Sequence, residues 1–292
     1  MLASRVARIL VAGATGTLGR AAVRELKGRG HFVRGLGRWV PLLRQLPLDE
    51  TFEGDLTNPE SLEGCCDGID AVLSCAGASM RLDTWGDTRS FGTVDFAGNR
   101  NLLAEARRAA VGRFVYVSLY AAESLLRTEY ARAHERFVEL LRGSGLPYTV
   151  VRPTGFFGFF GEILRMAQKG QGVLIGSGAT RTNPVHEEDV AAACAQALVG
   201  TATEMSIGGP DIYTRREIVE LAFEVVGKKP RIVRIPSWIF RGLVAPVRLM
   251  NPRLHALMAF GAAVSSIDVV APAVGRRHLR AYFQSLAEQE TR

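Results

Sequence analysis

Several features that would decide a function early are scarce or missing. Cysteine occurs only as Cys65, Cys66, Cys75 and Cys194, without Cys-x-x-Cys spacing or paired histidines. Neither a disulfide framework nor a metal site is indicated, and reduced, mostly buried thiols are expected. No apolar run reaches the length of a membrane span, since His255, Asp268 and Pro272 interrupt the stretch around Leu257 to Val264. Met1 to Arg5 leads straight into a first strand and leaves no room for a signal peptide, so a cytoplasmic location is expected. Internal repeats, low-complexity tracts and a flexible linker are missing as well, and the two halves of the chain should pack as one unit. Finally, no acidic residue stands between Glu224 and Asp268, where Lys228, Lys229, Arg231, Arg234, Arg241, Arg248 and Arg253 alternate with Trp238, Ile239, Phe240, Leu243 and Val244. The net charge of +7 suits an anionic ligand or an acidic membrane surface. Nucleic acid is not expected, because no recognised binding motif accompanies the charge.

What is present is organised around Ile9-Leu10-Val11-Ala12-Gly13-Ala14-Thr15-Gly16-Thr17-Leu18-Gly19. An apolar run breaks into glycines at the spacing Gly-x-x-Gly-x-x-Gly, and Arg20 to Leu26 continue as helix. In a strand–turn–helix of this kind Gly13 permits unusual backbone angles, Gly16 lets a pyrophosphate approach the main chain, and Gly19 lets helix and strand pack closely. The helix N-terminus then offers unpaired N–H groups to phosphate. At the end of the second strand an acidic residue would grip the ribose hydroxyls of NAD. Arg38 stands there instead, with Arg34 nearby, and both offer cationic forks to a 2′-phosphate, so NADP(H) is favoured over NAD(H).

Strands and helices then alternate, which predicts a doubly wound parallel sheet. Residues 52–56, 70–77, 113–118 and 146–153 read as strands, Val94 to Ala110 as a long helix, and Ala121 to Arg142 as a second one. Tyr130, His134, Phe137, Val138 and Leu141 recur on one face of the latter. Gly155 to Gly161, with four phenylalanines, reads as an aromatic loop, and Asp189 as the cap of a helix that it begins. Residues 1–155 are expected to form a dinucleotide-binding domain to which about 180–200 return, and 156–292 a substrate-binding region.

These motifs together carry a resemblance. Gly13 to Gly19, Gly54-Asp55-Leu56, Asp95 to Leu103, Phe114 to Ser118, Ser144-Gly145-Leu146 through Arg152-Pro153, Pro184-Val185-His186 with Asp189, and Ile207 to Pro210 resemble the atypical short-chain dehydrogenase/reductases, the NmrA-like and complex-I-39-kDa-subunit-like branch, over nearly the whole chain. The resemblance implies that Gly13, Thr15, Gly16, Thr17, Leu18 and Gly19 hold the cofactor and that Asp55 and Leu56 flank its adenine. Cys75-Ala76-Gly77 would cover the adenosine side, and Arg152-Pro153-Thr154 would lie beside the nicotinamide. In the wider family a tyrosine and a lysine one turn later carry the chemistry; the matching residues here are Tyr130 and His134. Spacing puts both on one helix face, as a catalytic pair or as part of the packing stripe. Histidine would lower the tyrosine's pKa less than lysine, yet it could bind ribose hydroxyls. Ser118 and Tyr120 stand where related enzymes orient a substrate oxygen.

The expected function is therefore NADPH-dependent reduction of a carbonyl, quinone or activated double bond in a largely apolar small molecule. A non-catalytic NADP(H)-binding sensor or assembly factor is the second reading, and a cofactor-retaining isomerase or epimerase the third. In the C-terminal part Pro236-Ser237 predicts a helix start and Pro246 a kink, with Arg241 and Arg248 on one face. Residues 237–259 suit either a pocket for an apolar, anionic molecule or peripheral membrane contact.

Overall fold

The computed structural model describes residues 6–80 and 89–291; Met1 to Arg5, read above for the missing signal segment, lie outside them. Seven strands form one sheet: β1 (Arg8–Ala12), β2 (Phe32–Gly37), β3 (Glu50–Glu53), β4 (Ala71–Ser74), β5 (Arg113–Val117), β6 (Tyr148–Pro153) and β9 (Glu204–Ile207), in the order β3-β2-β1-β4-β5-β6-β9. Every pairing is parallel. Strands of such a sheet are covered on both faces, which is why β1, β4 and β5 are near-continuous apolar runs. The order reverses between β1 and β4, and this opens the crevice where doubly wound proteins bind ligands.

On one face, α1 (Thr17–Gly28) lies beside α6 (Glu187–Val199), and both pack on Ile9, Val11, Val115 and Val151. Four of the five alanines of α6 are buried, and their small size lets the two helices approach. On the other face, α3 (Asn99–Arg108) and α4 (Glu129–Arg142) cover Leu10, Val72, Phe114 and Tyr116. A third core forms between α5 (Phe157–Gln168), α7 (Arg215–Val225) and α11 (Leu279–Thr291), with β7 (Gly172–Ile175) paired to β11 (Ile232–Ile235) beside it. The start of α7 is set by a capping box in which Thr214 Oγ1 accepts from Glu217 N–H (3.1 Å) and Glu217 Oε2 from Thr214 N–H (2.6 Å). A short α8 (Ser237–Val244), α9 (Val247–Met250) and the longer α10 (Pro252–Val264) complete the C-terminal part. Among the described residues no helix is long and apolar enough to cross a membrane.

Several expectations are corrected here. Gly155 to Gly161 is not a loop: Phe157 begins α5, and Phe157 and Phe160 fill the third core rather than a pocket. Glycines at 158 and 161 are compatible with helix when tertiary packing holds it, so they misled the reading. The long helix before β5 opens as a π-helical turn over Gly92–Gly98. The helix expected from Ala121 is broken, and α4 starts anew where Thr128 Oγ1 accepts from Ala131 N–H. Pro246 ends α8 instead of kinking it, so Arg241 and Arg248 belong to different helices. Asp189 does not cap α6. His186 Nδ1 does that by accepting from Glu188 N–H, while Asp189 Oδ2 accepts from the N–H groups of Arg276 (2.9 Å) and Arg277 (3.0 Å) and pins the C-terminal segment.

Candidate nucleotide and substrate site

The segments singled out in the sequence follow the carboxyl ends of six neighbouring parallel strands, so the fold collects them along one edge. After β1, Gly13 has φ +74°, and a Cβ there would stand 2.9 Å from Ala76 Cα in the loop after β4. A Cβ on Gly19 would lie 2.1 Å from Gly13 O, so only glycine lets α1 seat against this turn. Gly16 and Thr17 are exposed, and Gly16 has ordinary extended angles. No side chain caps α1 and no acidic residue sits in its first turn, so the N–H groups of Thr17, Leu18 and Gly19 remain available to an anion. Thr15 is half-buried, its carbonyl accepting from Arg20 Nε.

Beyond β2 the exposed Arg38 lies 3.9 Å from Asp55 Oδ2, a loose contact that leaves its fork open to a ligand. Asp55 Oδ1 shapes its own turn by accepting from Thr57 N–H and Oγ1. Leu56 packs where a Cβ on Gly98 would fall, within 2.9 Å. Arg34 is corrected: buried, it donates to the carbonyls of Cys65 and Asp67 and pairs with Glu50 at 2.8 Å, so it does not join Arg38. Cys75 and Ala76 are half-buried and Gly77 is exposed. Burial pushes the Cys75 thiol up to about 12, so it is inert. A bare helix N-terminus, a turn too tight for side chains and an open arginine fit a dinucleotide.

The second part of the site lies across the sheet on α4. Tyr130 is half-buried, its ring edge-to-face with Phe91 (5.0 Å), His134 (4.5 Å) and Phe260 of α10 (4.7 Å). Its hydroxyl makes no hydrogen bond among the described residues. Burial, and then the charge of Asp95, raise its phenol above the ordinary tyrosine value. His134, expected to reach the ribose, is buried: Nδ1 is 2.7 Å from the Tyr116 hydroxyl, while Nε2 faces Asp95 Oδ1 at 3.2 Å and makes no hydrogen bond among the described residues. Its ring packs edge-to-face on Tyr130, and its burial keeps it from solvent.

Asp95 Oδ2 in turn accepts from Ala78 N–H at 3.0 Å. Asn99 donates to the carbonyls of Asp95 (2.9 Å) and Ala76 (3.2 Å), and its Oδ1 accepts from Ser74 Oγ (2.5 Å). One polar network thus ties the end of β4, the π-helical turn and α4. Sequence reasoning missed Tyr116 as a partner because it sits within an apolar strand; the Asp95–Asn99 spacing of four was the available signal for the rest.

Ser118 is buried at the end of β5, and its hydroxyl has no hydrogen-bond partner among the described residues. Tyr120 is half-buried and its N–H donates to Pro153 O. Arg152 is held by Glu135 (2.6 and 3.1 Å) and Glu204 (2.9 Å), and Thr154 Oγ1 donates to Asn183 O at 2.6 Å. These polar side chains are committed within the protein, so the 152–154 segment offers a ligand shape rather than polar groups.

A parallel sheet that reverses beside an uncapped, glycine-bounded helix N-terminus defines a nucleotide-binding protein of the Rossmann class. Sequence comparison narrows this: the family described as NAD(P)H-binding matches residues 13–200. The chain belongs to that family, within the atypical short-chain dehydrogenase/reductases. It is 31% identical over 262 residues to the chloroplastic divinyl chlorophyllide a 8-vinyl-reductase of Oryza sativa subsp. indica, covering 80% of this chain but only 62% of that protein. It is 32% identical over 240 residues to the ceramide reductase of Caulobacter vibrioides, covering 78% of this chain and 74% of the relative. Among solved structures, the NADPH-dependent quinone oxidoreductase of Escherichia coli in complex with NADPH superposes with a TM-score of 0.73 at 18% identity, over 96% of this chain and 99% of that one.

Proposed function

We propose that the protein is an NADPH-dependent reductase of a carbonyl, quinone or activated C=C bond in a largely apolar small molecule, with Tyr130 as proton donor. The observation that carries this reading is Tyr130 itself: an unpartnered hydroxyl, held protonated by burial and by Asp95, on the helix face packed by Phe91 and Phe260. A phenol with a raised pKa carries its proton at neutral pH, the form that reduction requires, and although it is a weaker acid than free tyrosine it can still protonate the strongly basic alkoxide that hydride transfer leaves. Gly13, Gly16, Gly19 and the first turn of α1 would hold the cofactor's pyrophosphate, and Arg38 its 2′-phosphate. The bound nicotinamide would supply the hydride. Ser118, whose hydroxyl at the end of β5 has no hydrogen-bond partner among the described residues, would orient the substrate oxygen. The aromatic walls, together with relatives named for a chlorophyllide and a ceramide, support an apolar substrate.

One observation favours a second reading, a cofactor-binding protein without turnover: the position one turn after Tyr130 is the buried His134, bonded to Tyr116, and not a lysine that would lower the tyrosine's pKa. NADPH consumption across quinones, ketones and enones separates the two. Turnover with an apolar acceptor supports the reductase, and NADPH binding without turnover on any acceptor supports the second reading.

Arg38 supports the preference for NADPH over NADH. In the Arg38→Gln variant NADPH affinity is expected to fall roughly tenfold or more, the worth of a charge-assisted hydrogen bond, with NADH affinity little changed. Equal loss for both cofactors in fluorescence titration would remove Arg38 from phosphate recognition.

A further inference from the structure

The window without acidic residues forms a surface unlike the rest of the molecule. Some exposed arginines elsewhere pair with carboxylates, as Arg29 does with Glu25, Arg108 with Glu105 and Arg280 with Glu224, and others such as Arg44 and Arg107 do not among the described residues; this window combines unpaired arginines with a run of large exposed apolar side chains. On α8 and α9, Arg241 and Arg248 are exposed and have no ion-pair partner among the described residues. On the same segment large apolar side chains stand in solvent: Trp238 is 70% exposed, Leu243 65%, Leu249 90% and Met250 78%. A soluble monomer seldom leaves four such side chains uncovered on one short segment. A tryptophan and aliphatic tips interspersed with arginines are what an interfacial helix presents to lipid.

We infer that α8 and α9 form a docking surface for an anionic phospholipid membrane. Charge complementarity selects this occupant. A second copy meeting the same patch across a two-fold axis would bring like charges together without an acid to offset them. The surface also lies next to the candidate site. Asn251 ends α9 and caps α10 by accepting from Leu254 N–H, and α10 carries Phe260 onto the Tyr130 ring. Ala256 and Leu257 of α10 share a cluster with Phe91 and Tyr130. An apolar molecule dissolved in the bilayer would thus meet α10 on its way to Tyr130, an extension that rests on the proposed reductase reading; the docking surface itself does not.

The test is sedimentation of the full-length protein with vesicles of phosphatidylcholine alone or mixed with phosphatidylglycerol. Binding is expected only to the mixed vesicles, weakening as salt screens the charges. Because each cation near an anionic surface changes partitioning about fivefold, Arg241→Gln with Arg248→Gln should lower it roughly 25-fold. Leu249→Glu with Met250→Glu should abolish binding while circular dichroism and NADPH affinity stay unchanged. No pelleting with either vesicle, equal binding by the variants, or self-association abolished by the same substitutions would overturn the inference. Vesicle binding that persists in a protein without reductase turnover would leave this surface standing and remove the reductase reading.

Discussion

Three glycines of α1, each replaced by alanine, should give three different outcomes. At Gly19 the new Cβ would lie 2.1 Å from Gly13 O, 2.8 Å from Gly13 C and 2.9 Å from Ala14 Cα. All three are backbone atoms, so no side chain can swing aside and helix and turn must separate. Overpacking a core costs about 1–3 kcal/mol when side chains can yield, so a loss of about 3 kcal/mol is expected here. The separation also displaces the first-turn N–H groups, so NADPH binding should be lost with stability. At Gly16 a Cβ meets only Gly13 O, at 3.3 Å, and the backbone angles are ordinary. Stability should change by no more than about 0.5 kcal/mol, whereas NADPH affinity should fall roughly tenfold or more because the methyl occupies the pyrophosphate's approach. At Gly28 nothing lies within 4 Å, and alanine should stabilise by about 0.4–1 kcal/mol through the unfolded chain. Urea unfolding and NADPH fluorescence titration on the three variants suffice. If Gly19→Ala is as stable as Gly28→Ala, or if Gly16→Ala binds NADPH like the parent, the account of the turn is refuted.

The Asp189 clamp predicts a pH effect. Burial would raise this carboxyl, but hydrogen bonds from the Arg277 and Arg276 N–H groups and the Arg277 side chain overcome that and hold it below its ordinary value. A depressed folded pKa gives stability that is present above the unfolded value of about 3.9 and is lost as pH falls through the folded value. The stability difference between parent and Asp189→Asn should therefore be constant above about pH 5 and shrink below pH 4; a difference that does not change with pH would show that the charge is not what holds the segment.

How much was legible depended on whether a residue's partner lay nearby in the chain. Gly13, Gly16 and Gly19 could be read because a strand, a turn and a helix within twelve residues fix what each does. The stripe from His134 to Leu141 could be read because helical periodicity is local. The partners of Arg34 and Arg152 were not legible, because Glu50, Cys65 and Asp67 for one and Glu135 and Glu204 for the other arrive through the sheet. Asp189 stands where a cap is expected, yet its partners lie 87 and 88 residues later. The phenylalanines after β6 signalled an apolar environment correctly but not whose: it is the protein's own third core. The helix face of His134 was legible, while its hydrogen bond to Tyr116 on β5 and its contact with Asp95 before α3 are made through the fold.

The central claim is that Tyr130 delivers the proton to a substrate reduced by NADPH, without a lysine beside it. The most direct measurement compares the parent with Tyr130→Phe, following NADPH oxidation with the best acceptor and NADPH affinity by titration. Loss of general-acid catalysis predicts a kcat lower by roughly a hundredfold or more, with NADPH affinity and unfolding midpoint preserved because the hydroxyl makes no hydrogen bond among the described residues. A variant that turns over at the parental rate would contradict the claim.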